Sequence, residues 1–247
     1  YEIGSGLVGS EMCIRDRALC VSYSGQCYVS QHCFGRSANR GECAQFCRLK
    51  FDMIDSDGRM IEQGRHLLSL KDMNRGADLE RLLDAGVTSL KIEGRLKDVA
   101  YVKNVTAWYR SRLDEIFKRR PEYRRASSGQ VSLAFTPCLE KSFNRGFTRY
   151  FLDGRTPDIF SFHTPKSLGE EVGTVKEVRG KCIVVSGVKP FANGDGLCFL
   201  DEQGNLQGFR VNRVEANKIY PAEMPRVRPH ARLYRNFDKA FEDVLSR

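Results

Sequence analysis

The residues in this chain best suited to chemistry are four cysteines in a 28-residue window: Cys20, Cys27, Cys43 and Cys47, spaced C-x6-C-x15-C-x3-C. Four soft thiolates complete a tetrahedral metal site or a cubane cluster, and the intervening stretch is too polar to form a core. The alternative is a set of unpaired structural cysteines, since free Cys is among the most buried residue types. Cys33 lies in the same window and competes for a ligand place. Cys182 and Cys198 fall in strand-like patterns and read as core, and Cys138 after Pro137 reads as a loop thiol.

The signatures of several reaction classes are missing. The sequence contains no G-x-S-x-G elbow, no H-E-x-x-H and no phosphate-binding G-x-x-x-x-G-K-[ST] loop. Its imidazole bases are His32, His66, His163 and His230, and nothing beyond residue type supports a dyad such as Cys33 with His66.

The elements expected to position these residues alternate from Arg65 to Phe117. The apolar run 66–70 reads as a buried parallel strand ending at Lys71-Asp72. A short helix is expected over 78–84 with Gly86 as its stop, then a strand over 87–92 closing in Glu93-Gly94-Arg95. A longer helix follows, with Val102, Val105, Tyr109, Leu113 and Ile116 on one face. Successive β–α units imply a parallel sheet, and in a β/α barrel the chemistry sits at strand ends, here Lys71, Asp72, Glu93 and Arg95. The competing reading pairs Glu93 and Arg95 with loop neighbours. Beyond Pro121, short β-type runs alternate with turn signals (172–178, 182–185, 197–200, 208–214), which suggests a small antiparallel barrel or sandwich closed by a helix over 236–246.

At 247 residues, 41% hydrophobic and 29% charged, the chain has room for about two domains. No apolar run reaches membrane-spanning length. Cysteines at metal-like spacing favour a reducing cytoplasm. The net charge of +9 is concentrated between Lys91 and Arg155, where 15 Lys and Arg face 7 Asp and Glu. Its densest part, 118–125 (KRRPEYRR), suits a phosphate backbone, although such runs are more often solvated helix ends.

Residues 8–16 (VGSEMCIRD) back-translate into the mosaic-end oligonucleotide of transposon-based sequencing libraries. Residues 1–17 are therefore expected to be a cloning or assembly artefact, with 18–125 the C-terminal part of a catalytic domain and 126–247 a β-rich accessory domain with a short C-terminal helix.

The segment from Cys20 to Ser30 resembles the C-x4-G-x-C-x-[LIVM]-S signature of the collagenase-like peptidases of unknown catalytic type, family U32. The E-x-F-x-x-G lead-in usual in that family is absent. Residues 35–45 (GRSANRGECAQ), 90–95 (LKIEGR), 142–148 (SFNRGFT) and 233–242 (LYRNFDKAFE) resemble the same family, the last its long members. The resemblance implies the last part of a TIM-like β/α barrel followed by an extra β domain. It also implies one of two activities: peptide cleavage, or oxygen-independent hydroxylation of tRNA uridine, rRNA cytidine or a quinone precursor, with prephenate as hydroxyl source for the RNA enzymes. In the quinone branch four cysteines hold a [4Fe–4S] cluster, and the first three positions match Cys20, Cys27 and Cys43; the fourth falls to Cys47 by spacing. RNA hydroxylation is the expected function, collagenase-like proteolysis the alternative, and a zinc-stabilised binding module the third reading. The expected roles place Lys91, Glu93 and Arg95 at the catalytic pocket. Arg36, Asn39, Arg40, Asn144 and Arg145 are expected to hold the substrate.

Overall fold

The computed structural model describes residues 13–93, 97–126, 128–187 and 189–246, and only the backbone of 13–15. Arg95 lies outside the described residues. The chain folds as a mixed α/β part followed by a closed β barrel.

The α/β part is built on a four-stranded sheet in the order β5-β1-β4-β6, from β1 (Cys13–Arg17), β4 (Asp72–Met73), β5 (Ser89–Glu93) and β6 (Phe147–Thr148). β1 runs parallel to β5 and antiparallel to β4, and β4 runs parallel to β6. Residues 13–17 thus occupy an interior strand, with Asp16 and Arg17 buried. β6 comes from the segment that sequence texture grouped with the β-rich part, so the chain beyond 126 returns to this sheet before the barrel begins.

Two elements depart from expectation. The apolar run 66–70 is a turn closed by Ser69 N–H to the His66 carbonyl, with an isolated bridge from Leu70 to Phe160 outside the sheet. The strand begins two residues later, where Asp72 N–H bonds to the Gly146 carbonyl. A hairpin of β2 (Phe51–Ile54) and β3 (Met60–Arg65) was not foreseen. Its sequence lacks the alternation of a half-buried strand, and its apolar residues Met53, Ile54, Met60 and Ile61 are in fact exposed.

The helices follow their patterns more closely. α2 (Leu79–Asp84) ends at Gly86, whose φ of +87° suits a residue without Cβ. α3 (Val99–Arg119) is capped by Asp98, whose carboxylate accepts from Tyr101 N–H at 2.7 Å. It buries Val105, Tyr109 and Ile116 against Leu79 and Leu139, while Val102 faces out. Two of the five basic residues in the run at its end, Arg119 and Arg120, are committed to ion pairs. Arg119 and Arg120 both pair with Glu80, and Arg120 also binds Asp84 and Glu122. Lys118 and Arg124 remain exposed, while Arg119 and Arg120 anchor α3 to α2.

The barrel closes in the order β10-β11-β8-β7-β12-β9, with neighbouring strands antiparallel: β7 (Glu170–Arg179), β8 (Cys182–Ser186), β9 (Gly196–Leu200), β10 (Leu206–Glu215), β11 (Lys218–Pro221) and β12 (Arg232–Phe237). Its core includes Val175, Ile183, Leu197, Phe199, Ile219 and Leu233, and Cys182 and Cys198 are buried in the strands expected for them. Arg235 on β12 is buried among Glu170, Asp195 and Asp238. α4 (Lys239–Leu245) returns to the first part, where Lys103 donates to the Leu245 carbonyl and Lys141 to Asp238.

Candidate functional site

The cysteine loop is held by local hydrogen bonds. Cys27 caps α1 (Tyr28–Phe34), which ends at Gly35 with φ +61°. The buried hydroxyl of Ser30 donates to the Arg36 carbonyl at 2.8 Å and accepts from Ala44 N–H at 3.0 Å, tying α1 to the segment carrying Cys43. Gln45 turns left-handed (φ +54°), its N–H reaches the Cys43 sulfur at 3.4 Å, and a 3-10 turn (Phe46–Arg48) presents Cys47.

Three of the cysteines act electrostatically on the fourth, Cys47, and the Arg48 charge opposes them. Burial pushes the Cys47 thiol up from the ordinary value, and the nearby thiols of Cys20, Cys43 and Cys27 push the same way. Cys27 is buried, Cys43 and Cys47 half-buried, and Cys20 exposed; Cys33 is exposed on α1. Among the described residues no three His, Cys, Asp or Glu side chains stand close enough together to hold a metal ion. By chemistry the donor set suits a soft metal or an iron–sulfur cluster: four thiols lie in one loop, three of them at least half-buried, three act on the fourth, and a backbone N–H is directed at one sulfur.

Arg48, the residue after Cys47, joins this loop to the sheet. Its guanidinium donates to Ser69 Oγ (2.9 Å) and to the Leu70 (3.2 Å) and Leu19 (3.2 Å) carbonyls. Burial, followed by the Arg145 charge, lowers its pKa, while Cys47, Asp72 and Cys20 oppose that shift. His66 Nδ1 lies 2.9 Å from the Arg48 carbonyl, so that nitrogen carries the proton and donates. Through that bond the ring ties residue 66 to the end of the cysteine loop.

Asp72 and Arg145 form a buried pair at the strand end, with side chains 4% and 7% exposed. Asp72 accepts from Arg145 N–H (2.9 Å), Nε (3.1 Å) and Nη2 (2.7 Å). Lys97 Nζ sits 3.0 Å from the centroid of the Phe143 ring, and the Arg145 guanidinium lies 5.5 Å from the same ring. Burial lowers the Lys97 pKa; Asp72 opposes that shift and Arg145 adds to it. Arg48 and Lys97 make no ion pair among the described residues, so two cations in this region stand without a carboxylate of their own.

The residues singled out from sequence fall into several groups. Lys91 and Glu93 pair at 3.4 Å within β5 itself, with Lys91 the more exposed. Asn144 is buried and braces its own turn: its amide donates to the Glu140 and Ser142 carbonyls, and its side-chain oxygen accepts from Gly146 N–H. Lys71 pairs with Asp158. Arg36, Asn39 and Arg40 are exposed around the cysteine loop. Sequence reasoning missed Arg48 and Lys97, whose significance depends on the distant Asp72 and Arg145. It also missed Tyr23 and Tyr28, 80% and 74% exposed beside Cys20 and Cys27; two tyrosines flanking a cysteine window with nearby arginines was the available signal.

The profile of peptidase family U32 matches residues 10–160, and the chain belongs to that family. A 23S rRNA 5-hydroxycytidine synthase of Escherichia coli (strain K12) is 47% identical over 239 residues, covering 93% of this chain and 36% of its own length. A tRNA hydroxylation protein of Bacillus subtilis (strain 168) is 32% identical, covering 64% of this chain and 38% of its own. A collagenase of Porphyromonas gingivalis is 31% identical, covering 91% and 65%. The chain therefore spans little more than a third of the length of the first two relatives. No solved structure matches it. Among the described residues no helix is long and apolar enough to cross a membrane.

Proposed function

We propose that this chain is part of an RNA-modifying enzyme that hydroxylates a pyrimidine of rRNA or tRNA without oxygen, using a [4Fe–4S] cluster on Cys20, Cys27, Cys43 and Cys47 and prephenate as hydroxyl source. In the whole protein, upstream strands would complete a β/α barrel around the strand ends described here, and the protein would act in the cytoplasm. The observation that carries the reading is that the Cys20, Cys27 and Cys43 thiols act electrostatically on Cys47, beside the half-buried Arg48, in a chain 47% identical to an rRNA hydroxycytidine synthase.

Mechanistically, the cluster would supply redox chemistry when bound. The chain's own residues have separate tasks. Arg48 holds a positive charge against the Cys47 and Cys20 thiolates and locks the loop to the sheet. The Asp72–Arg145 pair fixes the strand end. Arg36 and Arg40, exposed with Tyr23 and Tyr28 around the cysteine loop, offer the guanidinium and stacking contacts that unpaired RNA bases and phosphates take. This surface fits an RNA substrate better than the 118–125 run, whose Arg119 and Arg120 are already paired.

Two further readings remain distinct. The collagenase relative points to peptide cleavage, and the thiols alone would also suit a zinc staple. Anaerobic purification of the protein with its upstream coding sequence restored, followed by assay of iron, acid-labile sulfide and zinc, separates them. Iron with matching sulfide is expected. Zinc without sulfide would replace the reading by the structural module, and absence of metal would turn attention to peptide cleavage.

A further inference from the structure

The end of the cysteine loop runs into a polar cavity at the junction with the barrel. Four segments meet around it: Lys50, beyond the turn that carries Cys47; residues 62–65 of β3; Phe162 with His163; and the 203–205 turn between β9 and β10. Their side chains tie the walls together. Lys50 Nζ donates to Asn205 Oδ1 at 2.9 Å, and Arg65 Nη1 reaches the Gln203 carbonyl at 3.3 Å and His163 Nδ1 at 3.4 Å. Gly204 has φ +76°, and a Cβ there would lie 2.7 Å from Arg65 Nη1, so glycine lets the turn close on this wall. The space between the segments is about 470 Å³, within the range of ligand sites.

Two features define the occupant. One is a flat apolar face: Phe162 is 42% exposed and stacks on Phe160, with ring centroids 5.4 Å apart and planes 10° from parallel. The other is balanced charge. Lys50 and Arg65 stand against Glu62, which lies 3.8 Å from Arg65 Nε, and His163 is the remaining titratable group in the wall. Nearby, Asp52 accepts from Gly64 N–H (2.7 Å), and Asp201 accepts from the Gln203 (3.0 Å) and Asn205 (2.8 Å) N–H groups. No surplus of cations is left for a ligand with several phosphates. An uncharged planar group with donors and acceptors on its edge fits better. The Gln63 amide, which makes no hydrogen bond among the described residues, is available to that edge. We propose that this cavity takes one unpaired nucleobase of a single-stranded RNA, stacked on the Phe162 ring, with Lys50 and Arg65 placed for the flanking phosphates. Lys50 is three residues beyond Cys47, and the ring of His66, next to Arg65, bonds the Arg48 carbonyl at 2.9 Å. The cavity thus fixes a neighbour of the nucleotide that reacts, and it rests on the RNA-hydroxylase reading for that relation alone.

The test is gel-shift titration of a short single-stranded RNA, and of the same RNA annealed to its complement, against the enzyme with its upstream sequence restored. Phe162→Leu, which keeps an apolar side chain but no flat face, is expected to weaken single-strand binding about fivefold or more, and Phe162→Trp to preserve it. Duplex binding is expected to be equal in all three proteins, because a paired base does not enter the cavity. Unchanged single-strand affinity in Phe162→Leu, an equal loss for duplex and single strand, or no single-strand binding by the parent would overturn the site. Cytidine and adenosine monophosphates serve as competitors. Displacement of the strand by either at the strand's own concentration would assign the cavity to a free nucleotide and overturn the proposal. Gln63→Ala, at an exposed position, replaces Phe162→Leu if that variant melts below the parent, with the same loss expected. Binding requires no turnover. Failure of the RNA modification assay leaves the cavity standing as an RNA site, and binding that ignores Phe162 leaves the hydroxylase reading standing.

Discussion

Replacing Arg145 by alanine should be among the most damaging single changes in the α/β part. The Asp72 carboxylate is almost wholly buried and takes three hydrogen bonds from Arg145, two of them from the guanidinium at 3.1 and 2.7 Å. Truncation leaves that carboxylate with one backbone N–H and the more distant charges of Lys97 and Arg48. Breaking a buried pair by removing one partner costs about 3–5 kcal/mol. The two remaining cations still favour the carboxylate, which places the expected loss near the lower end, about 3 kcal/mol. That is a large share of a typical domain stability of about 5–15 kcal/mol. Arg145→Lys keeps the charge but loses the two-pronged contact and should fall between. Asp72→Ala with Arg145→Ala should cost less than the sum of the single changes, by about 1–3 kcal/mol, because no uncompensated charge remains. The assay is urea unfolding followed by fluorescence of Trp108, the sole tryptophan, which packs edge-on against Tyr109 at 5.0 Å in the same part of the fold. A midpoint shift at constant slope reports stability directly. A loss below about 1 kcal/mol for Arg145→Ala, or additive single and double changes, would refute the argument.

Gly169→Ala should destabilise the barrel by several kcal/mol or prevent its closure, since a Cβ there would lie 2.0 Å from the Arg235 carbonyl oxygen at φ +79°; thermal unfolding checks it. Burial pushes the Glu170 and Asp238 carboxyls up, but hydrogen bonds from Lys189, Arg235 and Lys141 outweigh it and hold both below their ordinary values of 4.5 and 3.8. Their contribution to stability is therefore complete above those values and is lost as pH falls through the lower folded-state values. Unfolding measured from pH 7 to pH 3 should show that acid-side loss, and a flat profile would contradict it. Tyr28→Ala and Tyr23→Ala in the restored enzyme should each weaken binding to single-stranded RNA by about 1–3 kcal/mol without lowering thermal stability, as gel-shift titration would show. Unchanged binding would remove both residues from the RNA surface.

How much could be read from the chain varied with how local the determinants are. α2, α3 and β5 follow from apolar spacing and the Gly86 stop, and the barrel strands from regular turn signals. The hairpin at 51–65 escaped because its apolar residues face solvent, so burial leaves no periodic trace. The 66–70 run looked like a strand because hydrophobicity alone does not reveal the turn that His66 and Ser69 close. β4 and β6 have two residues each, too few for any pattern. The cysteine spacing announced a site, yet the charges beside it did not, because Arg48, Asp72, Lys97 and Arg145 meet only through tertiary contacts. The pairing of Arg119 and Arg120 within the basic run was hidden for the complementary reason: their acidic partners include Glu80 and Asp84, on a different helix.

The most direct test of the central claim is mass spectrometry of RNA nucleosides from cells lacking the full-length gene, complemented with the wild type or with Cys27→Ala. The account predicts that a hydroxylated pyrimidine of rRNA or tRNA disappears on deletion, returns with the wild type and does not return with Cys27→Ala. Unchanged hydroxylated pyrimidines on deletion, or full restoration by Cys27→Ala, would contradict it.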